Sequence, residues 1–506
     1  MIRAPRLALS LLTLLALTAC RHLPITPHAS RPLAPEGPPG QLLVTIRWPQ
    51  ASAYSAQAIP EAGTRAELSV TREGERPVAT ATLSRGEDGA IASASLALPP
   101  GEGYMLSAVL VNQQAQTVAL GKSAPFAILR NRSAAVSLQL APVIGTIAGT
   151  GTILYDATAS TAFETALYVP SGMGLDAEGN LYVAVMSHHA IRKITPDGRI
   201  ATVAGTGTAT GAGTGPVDGL PARETTLHTP QGVTVSPGGD LVIADSGNKR
   251  LRFVPASDGR RFGKDVTAGN LYTLATTSFT PIAVTMGPDG SVYYSEGSSP
   301  NHPPRVGRLD GEGRFSVVAG SESGLINGDV LSDTSTALKL PDGLVVDARG
   351  NLMISDRNDH RIRMVCREPG TYFGIPMQAE RIYTIAGTGK PTADNVSPLG
   401  DGGQGLAASF KSPRGLSLDA RGNLYITDSS NCRIRRLSPN GIISTVAGNA
   451  LPDAKQKPAT WPNAKLGDGG SALEALLNFP AATLVGPGGS LYIADTLNYR
   501  IRRLWL

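Results

Sequence analysis

The chain has 506 residues, of which 58 are Gly and 38 Pro, with 41% apolar and 17% charged residues. That apolar content is enough for a large core and excludes a wholly disordered chain. The lack of a strict Gly period excludes collagen, and Gly and Pro every few residues argue against a helical bundle, which leaves a β-rich chain with many turns. Lys and Arg number 45 against 40 Asp and Glu, a net charge of +5. The arginines are spread at regular intervals and not gathered into the basic stripe of a nucleic-acid binder, so no nucleic-acid partner is expected.

Residues 1–19 read as an export signal, with Arg3 and Arg6 at a positive start and an apolar run from Leu7 to Leu17. The run is too short to span a bilayer, which takes about 20 apolar residues. It ends in Leu17-Thr18-Ala19-Cys20, which resembles the lipobox of bacterial lipoproteins. The resemblance implies cleavage before Cys20, diacylation of its thiol and acylation of the new amine. Arg21 is unlike the Asp that marks inner-membrane retention, so a lipid-anchored place in the cell envelope follows, at the outer membrane in a Gram-negative cell. Residues 20–40 are proline-rich and read as an extended tether.

Residues 41–141 alternate apolar and polar positions: Leu42, Val44 and Ile46; Leu68 and Val70; Leu96 and Leu98; Met105, Ser107, Val109 and Val111; Val136, Leu138 and Leu140. Period two broken by turn clusters predicts a small antiparallel β-sandwich. The stretch LPPGEGYMLSAVLV resembles strands of transthyretin-like or immunoglobulin-like bacterial modules. This segment is expected to act as a spacer or adhesion module.

Residues 142–506 repeat one pattern six times: Pro-x-Gly-φ-x-φ, a turn, Leu-Tyr-φ-x-Asp-x-x-Asn-x-Arg-φ-Arg, then a strand ending Ala-Gly, where φ is apolar. The copies open at Pro170, Pro230, Pro281, Pro341, Pro413 and Pro480. Each holds four strand-sized runs, which predicts a six-bladed propeller. The sixth copy lacks its fourth strand, and an orphan fourth strand at 143–149 precedes the first copy, so that strand should close the ring. These motifs resemble the NHL-repeat family, including its bacterial and teneurin-type propellers, over about 365 residues. The resemblance implies an all-β fold and a role in recognition.

The Asp-x-x-Asn-x-Arg-φ-Arg element recurs at Asp245, Asp356, Asp428 and Asp495, and a feature present in four of six blades is expected to hold each blade together, with Arg satisfying carboxylates and carbonyls between adjacent sheets. Asp218, Asp329, Asp401 and Asp468 each lie 12 residues before an opening proline, in Gly/Asp turns that lack the further carboxylates of a calcium loop. Cys366 and Cys432 are out of register between neighbouring copies and are expected to be free, mostly buried thiols.

In a four-stranded blade the fourth-to-first and second-to-third connections share a face. The long inter-blade loops should therefore form one elaborated surface, with Trp461 as a candidate anchor. The residues after the opening prolines, Ser171, Gln231, Ile282, Asp342, Arg414 and Ala481, should line the channel entrance. Asp342 and Arg414 are expected to pair, which leaves no shell for a metal. His188 and His189 stand in the first copy, where Val185 and Ala190 replace the usual Asp and Arg, and are a further candidate for the ligand-binding face. No catalytic residue, metal or cofactor is expected. The function expected is a binding scaffold for a protein, peptide or glycan, with a channel-sited hydrolase or lyase as the alternative.

Overall fold

The computed structural model describes residues 40–46, 65–72, 77–84, 92–111, 117–123, 125–129, 133–135 and 141–505, the last range without 154–159, 208–216, 278–279, 298–302, 321–337, 393–398 and 450–465. The export segment, Cys20, most of the tether, Asp329, Trp461 and the run at 136–140 lie outside the described residues.

The N-terminal strands form two sheets. One runs in the order Ala92–Leu98, Gly40–Ile46, Ser133–Ala135. The other runs Ala79–Ser84, Arg65–Arg72, Gly101–Val111, Thr117–Lys122, Ala141–Pro142, with Phe126–Ile128 beside Gly101–Val111. Leu42, Leu96 and Leu98 of the first pack against Leu68, Val70, Leu106 and Leu110 of the second. Two details depart from the sequence reading. Gly40–Ile46 pairs with Ser133–Ala135 in parallel, so the sandwich is not wholly antiparallel. In Gly101–Val111 the buried residues are Tyr104, Leu106, Ala108, Leu110 and Val111, so of the alternating set Met105, Ser107, Val109 and Val111 only the last is buried. This strand is apolar on both parities, so alternation alone does not select its buried face, and a one-residue slip exchanges the two.

The remainder contains, among the described residues, six sheets built on four antiparallel strands each, one per sequence repeat. Blade 1 is Pro170–Leu175, Leu181–Val185, Ala190–Ile194 and Ile200–Ala204. The first strand of each blade lies against the first strand of the next, and that of blade 6, Ala482–Gly486, returns to Pro170–Leu175. The glycine of Pro-x-Gly makes this approach possible. A Cβ on Gly172 would stand 2.7 Å from the Gln231 carbonyl oxygen, and one on Gly343 2.1 Å from that of Arg414. In its place a backbone bond runs between blades, from Gly172 N to Gln231 O (2.7 Å) and from Gly415 N to Ala481 O (2.9 Å). Apolar residues from facing blades, such as Tyr425, Ile434, Leu491 and Ile493, fill the space between sheets.

Ring closure follows the expected plan. Ile144–Ala148 is the outer strand of blade 6, antiparallel to Arg500–Trp505, with Ile144 opposite Leu504 and Thr146 opposite Arg502. Asp468 accepts the Thr146 N–H (3.0 Å), and Thr496 Oγ1 donates to the Pro170 carbonyl (2.8 Å) across the same seam. The strand just before it, Ala141–Pro142, pairs with Thr117–Lys122 of the N-terminal sheets. Trp505 packs on the core of those sheets. No free linker therefore separates the two parts.

Deleting residues 143–149 should open the ring and lower the melting temperature sharply, and an unchanged temperature would refute closure by this strand. Gly149→Ala is a finer test, because Gly149 has φ +97° and an added Cβ would lie 2.3 Å from the Tyr499 carbonyl oxygen. It should cost more than about 1 kcal/mol in urea denaturation.

Candidate functional site

Among the described residues the second strands of five blades, all but blade 3, end in a short 3-10 turn that leads into the third. A pattern of contacts that recurs from blade to blade begins with the Asp at that point. Asp428 Oδ1 accepts the N–H of Lys411 (2.8 Å) and Oδ2 that of the Asn431 amide (2.8 Å). Asp495 does the same with Asn478 and Asn498, and Asp245 with His228 and Asn248. In these three blades the bonded backbone N–H lies two residues before the opening proline, and in blade 4 Asp356 accepts from both Lys339 and Leu340. The Asp thus fixes the entry of its own blade. Burial pushes the Asp356 and Asp428 carboxyls up to about 6 and raises Asp245 and Asp495 in the same direction.

The second Arg of the motif is buried at Arg252, Arg363, Arg435 and Arg502. Arg435 donates to Asp428 (3.4 Å), to Asp401 (2.7 Å) and to the Leu399 carbonyl (3.1 Å). Arg502 likewise reaches Asp495 (3.3 Å), Asp468 and the Leu466 carbonyl. These arginines do satisfy carboxylates and carbonyls, and for Arg435 and Arg502 the partners are the turn of the same blade and the inter-blade loop that precedes it. The carboxylates of the Gly/Asp turns are spent on this task. Asp401 also accepts from Thr445, and Asp218 from Thr273 on the outer strand.

Those loops do not simply crown one face. Gln404 bridges Ile442, Thr161 bridges Arg199, Val143 bridges Ser471, and Leu220–Pro221 pairs with the start of Asn270–Thr276. In each case the loop runs down the outer edge of the blade that follows and supplies partners to its exposed strand. Gly402 N donates to Ile443 O and Ile443 N to Gly403 O, which completes the cover. The opposite face carries the hairpins Gly259–Arg261 with Lys264–Val266 and Gly370–Tyr372 with Ile375–Met377.

His188 and His189 take different roles. His188 is buried, its Nε2 3.3 Å from the Ile153 carbonyl. His189 has φ +48° and its Nδ1 accepts the Thr229 N–H (3.0 Å), next to the opening proline of blade 2. His360 repeats this at φ +53°, accepting from Ser412 N (3.2 Å) ahead of blade 5. His189 is therefore one of two equivalent clasps between neighbouring blades.

The residues after the opening prolines do meet around the central cavity, a space of about 80 Å³. Asp342 is buried there and its Oδ2 receives Arg414 Nε (3.0 Å), the pairing expected from the sequence. A second guanidinium, Arg357, reaches the same oxygen (3.3 Å). Arg357 is the first residue of the turn after the second strand of blade 4. The sequence reading missed it, although the column in which it stands holds Met186, Ser246, Gly297, Ser429 and Thr496 in the other copies, and a lone Arg among them was the available signal. Among the described residues no group of three His, Cys, Asp or Glu side chains is placed to hold a metal ion. Cys366 and Cys432 are both free and buried, as expected.

A family model described as the teneurin NHL domain matches residues 152–255, 344–464 and 432–505, just over half of the chain. This chain belongs to the teneurin NHL family. Its NHL repeats are 30% identical to teneurin-1 of Gallus gallus over 246 residues, 47% of this chain and 8% of that protein. They are 30% identical to protein suppressor of quenching 1, chloroplastic, of Arabidopsis thaliana over 300 residues, 55% of this chain and 26% of that protein. Human teneurin-4 is 26% identical over 401 residues, 72% of this chain and 13% of its own length. The chain thus spans about a quarter or less of these relatives. Among solved structures, an auxiliary nutrient binding protein from Bacteroides ovatus aligns with a TM-score of 0.48 at 17% identity, covering 87% of this chain and 94% of that one.

Two predictions concern the NHL framework. Asp428→Ala strands the buried Arg435 and two further donors, and should cost roughly 3–5 kcal/mol in urea denaturation, whereas Asp401→Ala, at a half-exposed site, should cost about 1 kcal/mol. The second concerns pH. Burial holds the His189 and His360 imidazoles below the ordinary value of 6.5, with the charge of His228 adding to this at His189. Near pH 6 the folded state then binds fewer protons at these histidines than the unfolded chain, so their contribution is full above about pH 6.5 and is lost as pH falls. Asp356 and Asp428, near 6 when folded against 3.8 otherwise, act oppositely and lose their contribution as pH rises through 6. His360→Asn keeps an acceptor for Ser412 that takes no proton. On going from pH 7 to pH 5 the melting temperature of this variant should rise relative to that of the unchanged protein, and an equal pH dependence in both would refute the clasp's titration.

Proposed function

We propose that the protein is a recognition scaffold of the cell envelope, held to a membrane through a lipidated Cys20 and binding a protein, peptide or glycan at the channel face of its NHL propeller. One observation carries this reading. The carboxylates that the repeats supply are engaged in holding blades and edges together, and the central cavity of about 80 Å³ is well below the roughly 300–1,000 Å³ of a small-molecule site. What remains for a ligand is the rim, where the inter-blade loops begin and end. Trp461 belongs to the longest of those loops and is proposed as an anchor for the ligand.

The test uses the protein from residue 21 onward on peptide and glycan arrays, beside variants in which 208–216 or 450–465 is replaced by a short Gly-Ser segment. Binding should be lost in at least one variant at an unchanged melting temperature, and full retention in both would overturn the loop-face reading. Cys20→Ser in the full chain should move the protein from the membrane to the soluble fraction, and continued membrane fractionation would refute the anchor.

A further inference from the structure

We propose that the channel mouth is a receptor for a free carboxylate group on the ligand, held by the Arg414 and Arg357 guanidiniums in competition with Asp342. The proposal rests on the recognition role above and adds the chemistry of what is recognised.

The geometry is that of an unfilled fork. Arg414 spends only Nε on Asp342 Oδ2, and Arg357 spends only Nη1 on the same atom. Among the described residues neither remaining Nη of Arg414 nor the second Nη of Arg357 has a partner. A guanidinium takes a carboxylate best through two parallel N–H bonds, and Asp342 offers each arginine only one. Arg414 lines the cavity, with its side chain 16% exposed. Ser171 and Gln231 line the same ring with a hydroxyl and an amide, both able to donate.

Charge favours an anion at this point. At the mouth itself Arg357 and Arg414 both lie on the single carboxylate of Asp342, so two cations meet one anion there. An excess of positive charge around a low-dielectric mouth concentrates anions there. The size of the cavity sets the rest: a terminal acid group fits into it while the body of the ligand stays on the rim.

The experiment is calorimetric titration of the protein from residue 21 onward at low salt. The probes are D-glucuronate against its methyl ester, a free-acid tetraglycyl-phenylalanine against its amide, and inorganic phosphate. The acid of at least one pair should bind roughly tenfold more tightly than its neutral form, and Arg414→Gln should remove that preference. The two pairs distinguish a saccharide source of the carboxylate from a peptide one. Asp342→Asn removes the internal competitor and should tighten acid binding, a sign that a purely structural ion pair does not produce. Arg414→Lys keeps the charge without the fork, and should bind the acid more weakly while unfolding at the same temperature. Equal binding of acid and neutral forms, tighter binding of phosphate than of either acid, or no gain in Asp342→Asn would overturn the proposal. Array ligands held equally by the unchanged protein and Arg414→Gln would remove the carboxylate site and leave the recognition role. Silent arrays with tight acid binding would do the reverse.

Discussion

The close approach of the six first strands around the axis is the constraint on which the rest depends. Gly172, Gly232, Gly343 and Gly415 let one backbone touch the next, and the inter-blade bonds from Gly172 and Gly415 replace what would be side-chain volume. Once the inner ring is this tight, the cavity is small, and the one residue before each glycine is forced to the mouth. Asp342 and Arg414 come together for that reason, since they occupy the same column in adjacent blades.

Outward from the ring, blades 2, 4, 5 and 6 each hold a buried guanidinium on the third strand. A cation in that position is costly unless several acceptors surround it. Arg435 and Arg502 meet the need with one carboxylate from their own turn and one from the preceding loop. This couples two features that look separate in the sequence. The Asp that ends the second strand and the Asp of the Gly/Asp turn serve one arginine, so the turn at the channel face and the cover on the outer edge are held by the same side chain.

Much of this was legible because repetition multiplies a weak signal. The period of the opening prolines gave the blades, and the orphan strand at 143–149 gave the closure, seen in the pairing of Thr146 with Arg502. The same alignment gave the channel ring. It failed where the deciding force is not periodic. The path of the loops is set by the need to pair an outer strand such as Ile443–Ala447, which no motif announces. The inward face of Gly101–Val111 was hidden because both parities are apolar. Arg357 escaped because it occupies a variable position of the Asp-x-x-Asn motif, although the turn after the second strand reaches the same mouth.

The joint between the two parts has a mechanical meaning. The chain passes from Ala141–Pro142, inside the N-terminal sheets, to Ile144–Ala148, the closing strand, with one residue between. Any pull on the N-terminal side is therefore applied to the strand whose release unlocks the ring. That load falls on the ladder with Arg500–Trp505, on the Asp468 contact and on Trp505 seated against the sandwich core. The propeller is suspended from its own latch, and traction on the attachment and opening of the ring are one and the same displacement.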